Sequence, residues 1–156
     1  MSETDHTSPL AGQFRSTALN RVDAKKRVAI PAGYRAILGG QALVLRKSHR
    51  HACVEAWPAT LFEHDLKPIS PHADLDDADE DDIYANISLV VDAIPDTEGR
   101  IILDKDLAQF AAITDQVLFV GKAQIFELWE PAAGRAHLEA AERRRRERLA
   151  ARRAAA

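Results

Sequence analysis

The chain has 156 residues, 46% of them hydrophobic, enough for one globular domain or two small ones that share a core. Its one cysteine, Cys53, excludes an internal disulfide and fits a reducing cytoplasm. No apolar run approaches the roughly 18 residues of a membrane helix. The start MSETDHTSPLAGQ has neither the basic region nor the apolar core of a signal peptide.

The net charge of −3 hides three blocks. Residues 1–70 carry 10 Lys/Arg against 6 Asp/Glu, a net of +4; residues 71–134 carry 3 against 15, a net of −12; residues 135–156 carry 8 against 3, a net of +5. Such asymmetry points to segments that meet different partners, and an acidic protein still binds nucleic acid when its basic residues share a face.

In chain order, residues 1–12 are polar and aperiodic, the pattern of a disordered tail. A first unit over 13–68 opens with the strand QFRSTALNRV, reverses at DAKK and continues in the β-branched strand RVAI, ended by Pro31. AGYRAIL predicts a short helix stopped by Gly39-Gly40, ALVLRK and ACVEAW two more strands, and Pro58 the first turn of a helix over ATLFEHDLK. Residues 69–83 follow; seven of the nine from Asp74 to Asp82 are acidic, which predicts a solvated linker.

The second unit, 84–131, repeats the order: strand ISLVVDAI, turn DTEG, strand RIIL, short helix KDLAQFAAI, and strands QVLFVG and QIFELW. Pro131 opens a basic C-terminal helix over 132–156. Arg27 and Arg100 lie 73 residues apart, and Trp57 and Trp129 lie 72 apart. Agreement at both ends of the unit indicates a tandem duplication, in which two copies complete one core that neither fills alone.

The two D-x-x-x-R turns, with RVAIPAGYR, GRIILDKDL and VLFVGKAQIFELW, resemble the MraZ family over about Gln13 to Arg135, the acidic linker excepted. The resemblance implies a mostly β fold with short helices (α+β): two tandem AbrB-like swapped-hairpin repeats in one pseudo-symmetric barrel, plus a C-terminal helix. It implies a cytoplasmic, nucleoid-associated transcriptional repressor that assembles as a ring-shaped homo-oligomer. Its DNA target would be short G-rich direct repeats in the promoter of its own division and cell-wall gene cluster. The family's functional signature falls on Asp23 and Arg27, and on Asp96 and Arg100. One departure stands out: the family's Gly before the turn arginine is kept at Gly99 but replaced by Lys26 in the first turn. A lysine tolerates positive φ poorly, so either that turn is reshaped or it accepts strain in exchange for a charge.

Arg15, Arg21, Lys25, Lys26 and Arg27 form the expected DNA-contacting face, since basic side chains neutralise phosphates and arginine can fork onto guanine O6 and N7. Arg100, beside Asp96 and Glu98, is expected to be a minor contact. Asp23 and Asp96 are expected to order their turns without touching DNA. Arg143, Arg144, Arg145 and Arg146 point all round a helix, as a solvated end or a non-specific phosphate grip.

HRHAC places His49, His51 and Cys53 at alternate positions, which with His64 could form a zinc site, but there is no paired C-x-x-C and a plain loop with an inward Cys is the simpler reading. Trp57 and Trp129 read as core or helix-packing residues. No nucleophile–base pair, phosphate-cradling loop or carboxylate dyad argues for an enzyme, and neither a cofactor nor a metal is expected. The rival readings are an AbrB-like antitoxin and, further off, a metal-dependent enzyme built on HRHAC.

Overall fold

The computed structural model describes residues 12–156, so the expected tail, Gly12 excepted, lies outside the described residues. Eight short strands and five α-helices follow in chain order. They begin β1 Thr17–Arg21, β2 Arg27–Ala29, α1 Ala32–Leu38, β3 Leu43–Lys47, β4 Val54–Pro58 and α2 Ala59–Asp65. The chain continues with α3 Asp77–Ile83, a π-helical turn Tyr84–Ser88, β5 Val91–Ala93, β6 Arg100–Ile102 and α4 Lys105–Phe110. It ends with β7 Gln116–Lys122, β8 Ile125–Trp129 and α5 Pro131–Ala155. Among the described residues, no helix is long and apolar enough to cross a membrane.

Six strands form one antiparallel sheet in the order β1-β7-β8-β4-β3-β5, and β2 and β6 form a separate two-stranded ribbon. Exchanging the two units swaps β1 with β5, β3 with β7 and β4 with β8, and the strand order then reads the same backwards. The registers locate the pseudo-two-fold. In the ribbon the central pair is Val28 opposite Ile101, 73 residues apart, and in the sheet it is Glu55 opposite Glu127, 72 apart. Each unit's first strand pairs with the other unit's third, β1 with β7 and β5 with β3, so the hairpins are exchanged as expected.

The expected barrel does not close. The sheet ends on β1 and β5, and β1 meets β2 through the single bridge Val22–Val28. With three residues in each of β2 and β6, the ribbon is too short to carry ladder bonding round both corners. Burial completes the core instead. One face of the sheet packs Leu45, Val54, Phe119 and Phe126 against Val28 and Ile101 of the ribbon, Tyr34 of α1 and Leu107 of α4. On the other face Cys53, Leu118, Val120 and Trp129 pack under Leu138 of α5.

Two local expectations differ from the structure. ISLVVDAI keeps strand pairing only over Val91–Ala93, because Tyr84–Ser88 closes a π-helical turn after α3. The acidic segment is exposed, but it contains α3, capped by a reciprocal pair in which Asp76 accepts from the Asp79 N–H and Asp79 accepts from the Asp76 N–H. Acidic residues fill the first turn of α3, where the helix dipole favours them. α3 and the following turn border a cleft of about 590 Å³ with Phe62 and Leu66, and Asn86 there accepts a hydrogen bond from Arg46 Nη1 at 2.6 Å.

Candidate nucleic-acid interface

Between β1 and β2 the chain reverses around Asp23. Its Oδ1 accepts from the Lys25 and Arg27 backbone N–H groups at 2.9 and 2.8 Å, and its Oδ2 accepts from Arg27 Nε at 2.8 Å. Backbone bonds from Asp23 N–H to Arg27 O and from Lys26 N–H to Asp23 O close the loop at 2.9 and 3.0 Å. These donors, the Arg27 backbone N–H first, hold the Asp23 carboxyl below its ordinary value.

The second turn is built the same way. Asp96 Oδ1 accepts from Glu98 and Arg100 N–H at 2.9 Å each, and Oδ2 accepts from Arg100 Nε at 3.0 Å. The carboxyl is again held low, by the Arg100 backbone N–H first. Lys26 sits at φ 64° and Gly99 at φ 78°. The first turn is therefore not reshaped; Lys26 accepts the left-handed conformation that glycine takes freely, at a cost on the order of 1–2 kcal/mol.

The turns differ in what lies on them. Among the described residues Arg27 pairs with Asp23 alone, whereas Arg100 pairs with Asp96 at 3.0 Å and, through Nη2, with Glu98 at 3.1 Å. Arg35 of α1 lies against Gly99, with Cδ, Nε and Nη1 where a side chain at 99 would stand, and Nη1 donates to the Glu98 carbonyl at 3.0 Å. Sequence reasoning missed Arg35. A signal was present in the sequence: 73 residues after Arg35 stands Ala108, and 73 before Gly99 stands Lys26, so the two units differ at both positions.

The ribbon sets both turn arginines on one surface. Val28 and Ile101 point into the core, so strand alternation turns Arg27, Ala29, Arg100 and Ile102 outward. Arg27 faces Ile102 and lies diagonal to Arg100, which places the two arginine backbones roughly 7–8 Å apart. Lys25 and Lys26 are exposed on the first turn. Arg21 is exposed at the end of β1 that leads into that turn. Arg15 is not part of the cluster: it adjoins Phe14, which bridges to Ala123 at the far end of β1, about 20 Å along the strand from Arg21.

A family model described as "MraZ protein, putative antitoxin-like" matches residues 92–154. A protein of Gluconacetobacter diazotrophicus named transcriptional regulator MraZ is 44% identical over 143 residues, 86% of this chain and 84% of the relative. Proteins of the same name from Gluconobacter oxydans and Rickettsia bellii are 41% identical over 142 residues and 38% identical over 130; the matches span 85% and 80% of this chain and 85% of each relative. The chain belongs to the MraZ family.

Within this MraZ fold the remaining sequence candidates fall elsewhere. Arg143, Arg144, Arg145 and Arg146 are exposed along α5, past the Gly134 and Leu138 contacts that root the helix on the sheet, and Arg146 pairs with Glu142 at 3.4 Å. His49, His51, Cys53 and His64 do not converge, and among the described residues no three His, Cys, Asp or Glu side chains are placed to hold a metal. His51 instead meets His137 of α5 with ring centroids 4.4 Å apart, and His137 stacks on Trp129 at 4.5 Å. Cys53 is buried, which pushes its thiol up to about 12 and leaves it unreactive. Trp57 packs edge-on against Phe62 of α2, and Trp129 lies under α5, both as helix-packing residues.

Proposed function

We propose that the chain is a DNA-binding transcriptional regulator, a repressor of the promoter of its own division and cell-wall gene cluster through short G-rich direct repeats. The observation that carries this reading is the ribbon: two D-x-x-x-R turns of equal geometry, related by a pseudo-two-fold, set Arg27 and Arg100 on one exposed surface with Lys25 and Lys26 beside them. A two-stranded antiparallel ribbon fits the major groove, and guanidinium groups held from behind by a carboxylate are aimed before DNA arrives. The relatives named transcriptional regulator support the same reading.

The protein acts in the cytoplasm, on the nucleoid, without a cofactor and not as an enzyme. It does so as a closed homo-oligomer, because one ribbon makes few phosphate contacts and several on one DNA segment gain affinity through effective concentration. Arg21, Lys25, Lys26 and Arg27 carry most of the contact, Arg100 less, and Asp23 and Asp96 order the turns. Arg15 joins only where DNA runs along β1. Arg143 to Arg146 hold phosphates without reading sequence. The antitoxin alternative gains nothing from the fold, since the second unit supplies half of the sheet and is not a free toxin-wrapping tail.

The test is a footprint and gel-shift titration on DNA upstream of the protein's own gene, with light scattering in parallel. If about 6 phosphates are neutralised, affinity falls on the order of a thousandfold between 50 and 200 mM salt. A flat salt response, or a monomer at micromolar concentration, would count against the reading.

A further inference from the structure

We infer that Arg35 is a DNA-phosphate ligand of the second turn, bringing from helix α1 the cation that Lys26 carries on the first turn. The inference rests on the DNA-binding reading above and adds a residue outside both D-x-x-x-R segments.

The pseudo-two-fold makes the comparison strict. Ile30 N–H donates to the Gly99 carbonyl at 2.9 Å, and its counterpart Leu103 N–H donates to the Lys26 carbonyl at 2.8 Å. The chain therefore enters α1 beside the second turn and α4 beside the first. Position 26 corresponds to 99, and position 35 to 108. At the second turn glycine leaves the outer space open, and the Arg35 side chain occupies it. At the first turn the side chain of Lys26 leaves the backbone into the corresponding space, and the helix position that would compete for it is Ala108. Each turn thus carries one cationic side chain on its outer side, from the turn itself at Lys26 and from helix α1 at Arg35.

The charge at Arg35 is available. Its hydrogen bond goes to a backbone carbonyl, no carboxylate pairs with it among the described residues, and the residue is exposed. A guanidinium has five N–H donors, so most remain for an incoming phosphate. Its position also answers the charge difference between the turns. Asp23 to Arg27 holds three cations and one carboxylate; Asp96 to Arg100 holds one cation and two carboxylates, and Arg35 brings that turn from −1 to zero. The net repulsion of a phosphate within the Debye length of about 8 Å is then reduced, although Glu98 still faces it.

The test is a gel-shift titration across salt with the full chain on DNA upstream of its own gene, with a melting curve for each variant. Arg35→Gln should weaken binding several-fold and lower the salt slope by about 1 for each engaged second turn. Arg35→Lys should keep the slope. The transplanted pair Arg35→Ala with Gly99→Lys should restore it by copying the first turn, and Lys26→Gly with Ala108→Arg should bind more tightly than Lys26→Gly alone. If wild type binds and Arg35→Gln leaves affinity and slope unchanged, or if the transplanted cations recover nothing in folded protein, the inference fails alone. If wild type binds no DNA, the DNA-binding reading fails and takes this one with it.

Discussion

Glu55 and Glu127 stand directly opposite each other across the β4–β8 pair, on the pseudo-two-fold that also passes between Val28 and Ile101. Both are buried, and each accepts the indole N–H of the tryptophan two residues on, Trp57 and Trp129, at 3.0 Å. Their cations have diverged: Arg46 Nε lies 2.9 Å from Glu55, and Lys122 Nζ 3.1 Å from Glu127. Two facing carboxylates are compatible with this seam because each has its own cation and its own indole donor.

The Trp129 bond can be separated from the charge. Trp129 is buried, so Glu127→Ala leaves its N–H without an acceptor, a loss of about 1–3 kcal/mol. For a chain of this size that lowers the melting temperature by a few degrees or more. Glu127→Gln retains a carbonyl acceptor and loses only the pairing with Lys122, while relieving Glu55, so its loss is smaller. Equal melting temperatures for the two variants would assign the seam to charge rather than to the indole bond.

Equivalent positions in the two turns should respond with opposite sign. Lys26→Gly relieves a left-handed residue and should raise stability by about 1 kcal/mol while weakening DNA binding. Gly99→Ala creates the strained conformation and drives a methyl into Arg35, so it should lower stability. Calorimetric melts of both variants decide this; a drop in stability for Lys26→Gly would show that the lysine side chain holds the turn.

The root of α5 should loosen in mild acid. Burial first, and then the neighbouring His51, holds His137 below its ordinary 6.5; Glu127 opposes this, while Arg144 and Lys122 add to it. Unfolded chain takes up the proton near 6.5 and folded chain resists it. The stability that neutral His137 contributes is complete above that pH and is lost as pH falls from there through the lower folded value. Melting temperatures between pH 7.5 and 5 should fall in wild type and fall less in His137→Phe. Parallel curves would exclude His137 as the source.

Much of the fold was legible because it was written twice. The 73-residue spacing of the turns and the 72-residue spacing of Trp57 and Trp129 carry the duplication. Proline and paired glycines marked the ends of β2 and α1. What escaped depended on neighbours rather than on local pattern. ISLVVDAI has strand composition, but its first residues are taken by the turn that closes after α3. The acidic stretch read as a solvated linker, and the Asp76–Asp79 capping pair gives it a helix start. Arg15 counted as part of a basic cluster in sequence, and the run of β1 carries it away from the turn. The open edges left where a barrel was expected, the register at Glu55–Glu127 and the place of Arg35 are tertiary facts, visible only once the units are set against each other.

The two turn arginines are held unequally. Both are oriented by an Asp four residues earlier, but among the described residues no carboxylate pairs with the terminal nitrogens of Arg27, while Arg100 gives Nη2 to Glu98 at 3.1 Å. A guanidinium that must leave a second carboxylate before meeting a base gains less from the exchange, and Glu98 adds a negative charge that an approaching phosphate meets. Arg27→Ala should therefore abolish specific binding, with at least about 1–3 kcal/mol lost per site if it reads a guanine. Arg100→Ala should cost less in binding. Neither should unfold the protein, since both are held at the surface of a turn. Glu98→Gln should strengthen binding by freeing Arg100, and the gain should vanish when Arg100→Ala is added. Gel-shift titrations of the four variants with melting curves are the measurement. Equal losses from Arg27→Ala and Arg100→Ala, with no gain from Glu98→Gln, would mean that both turns read DNA alike and that the second carboxylate does not restrain Arg100.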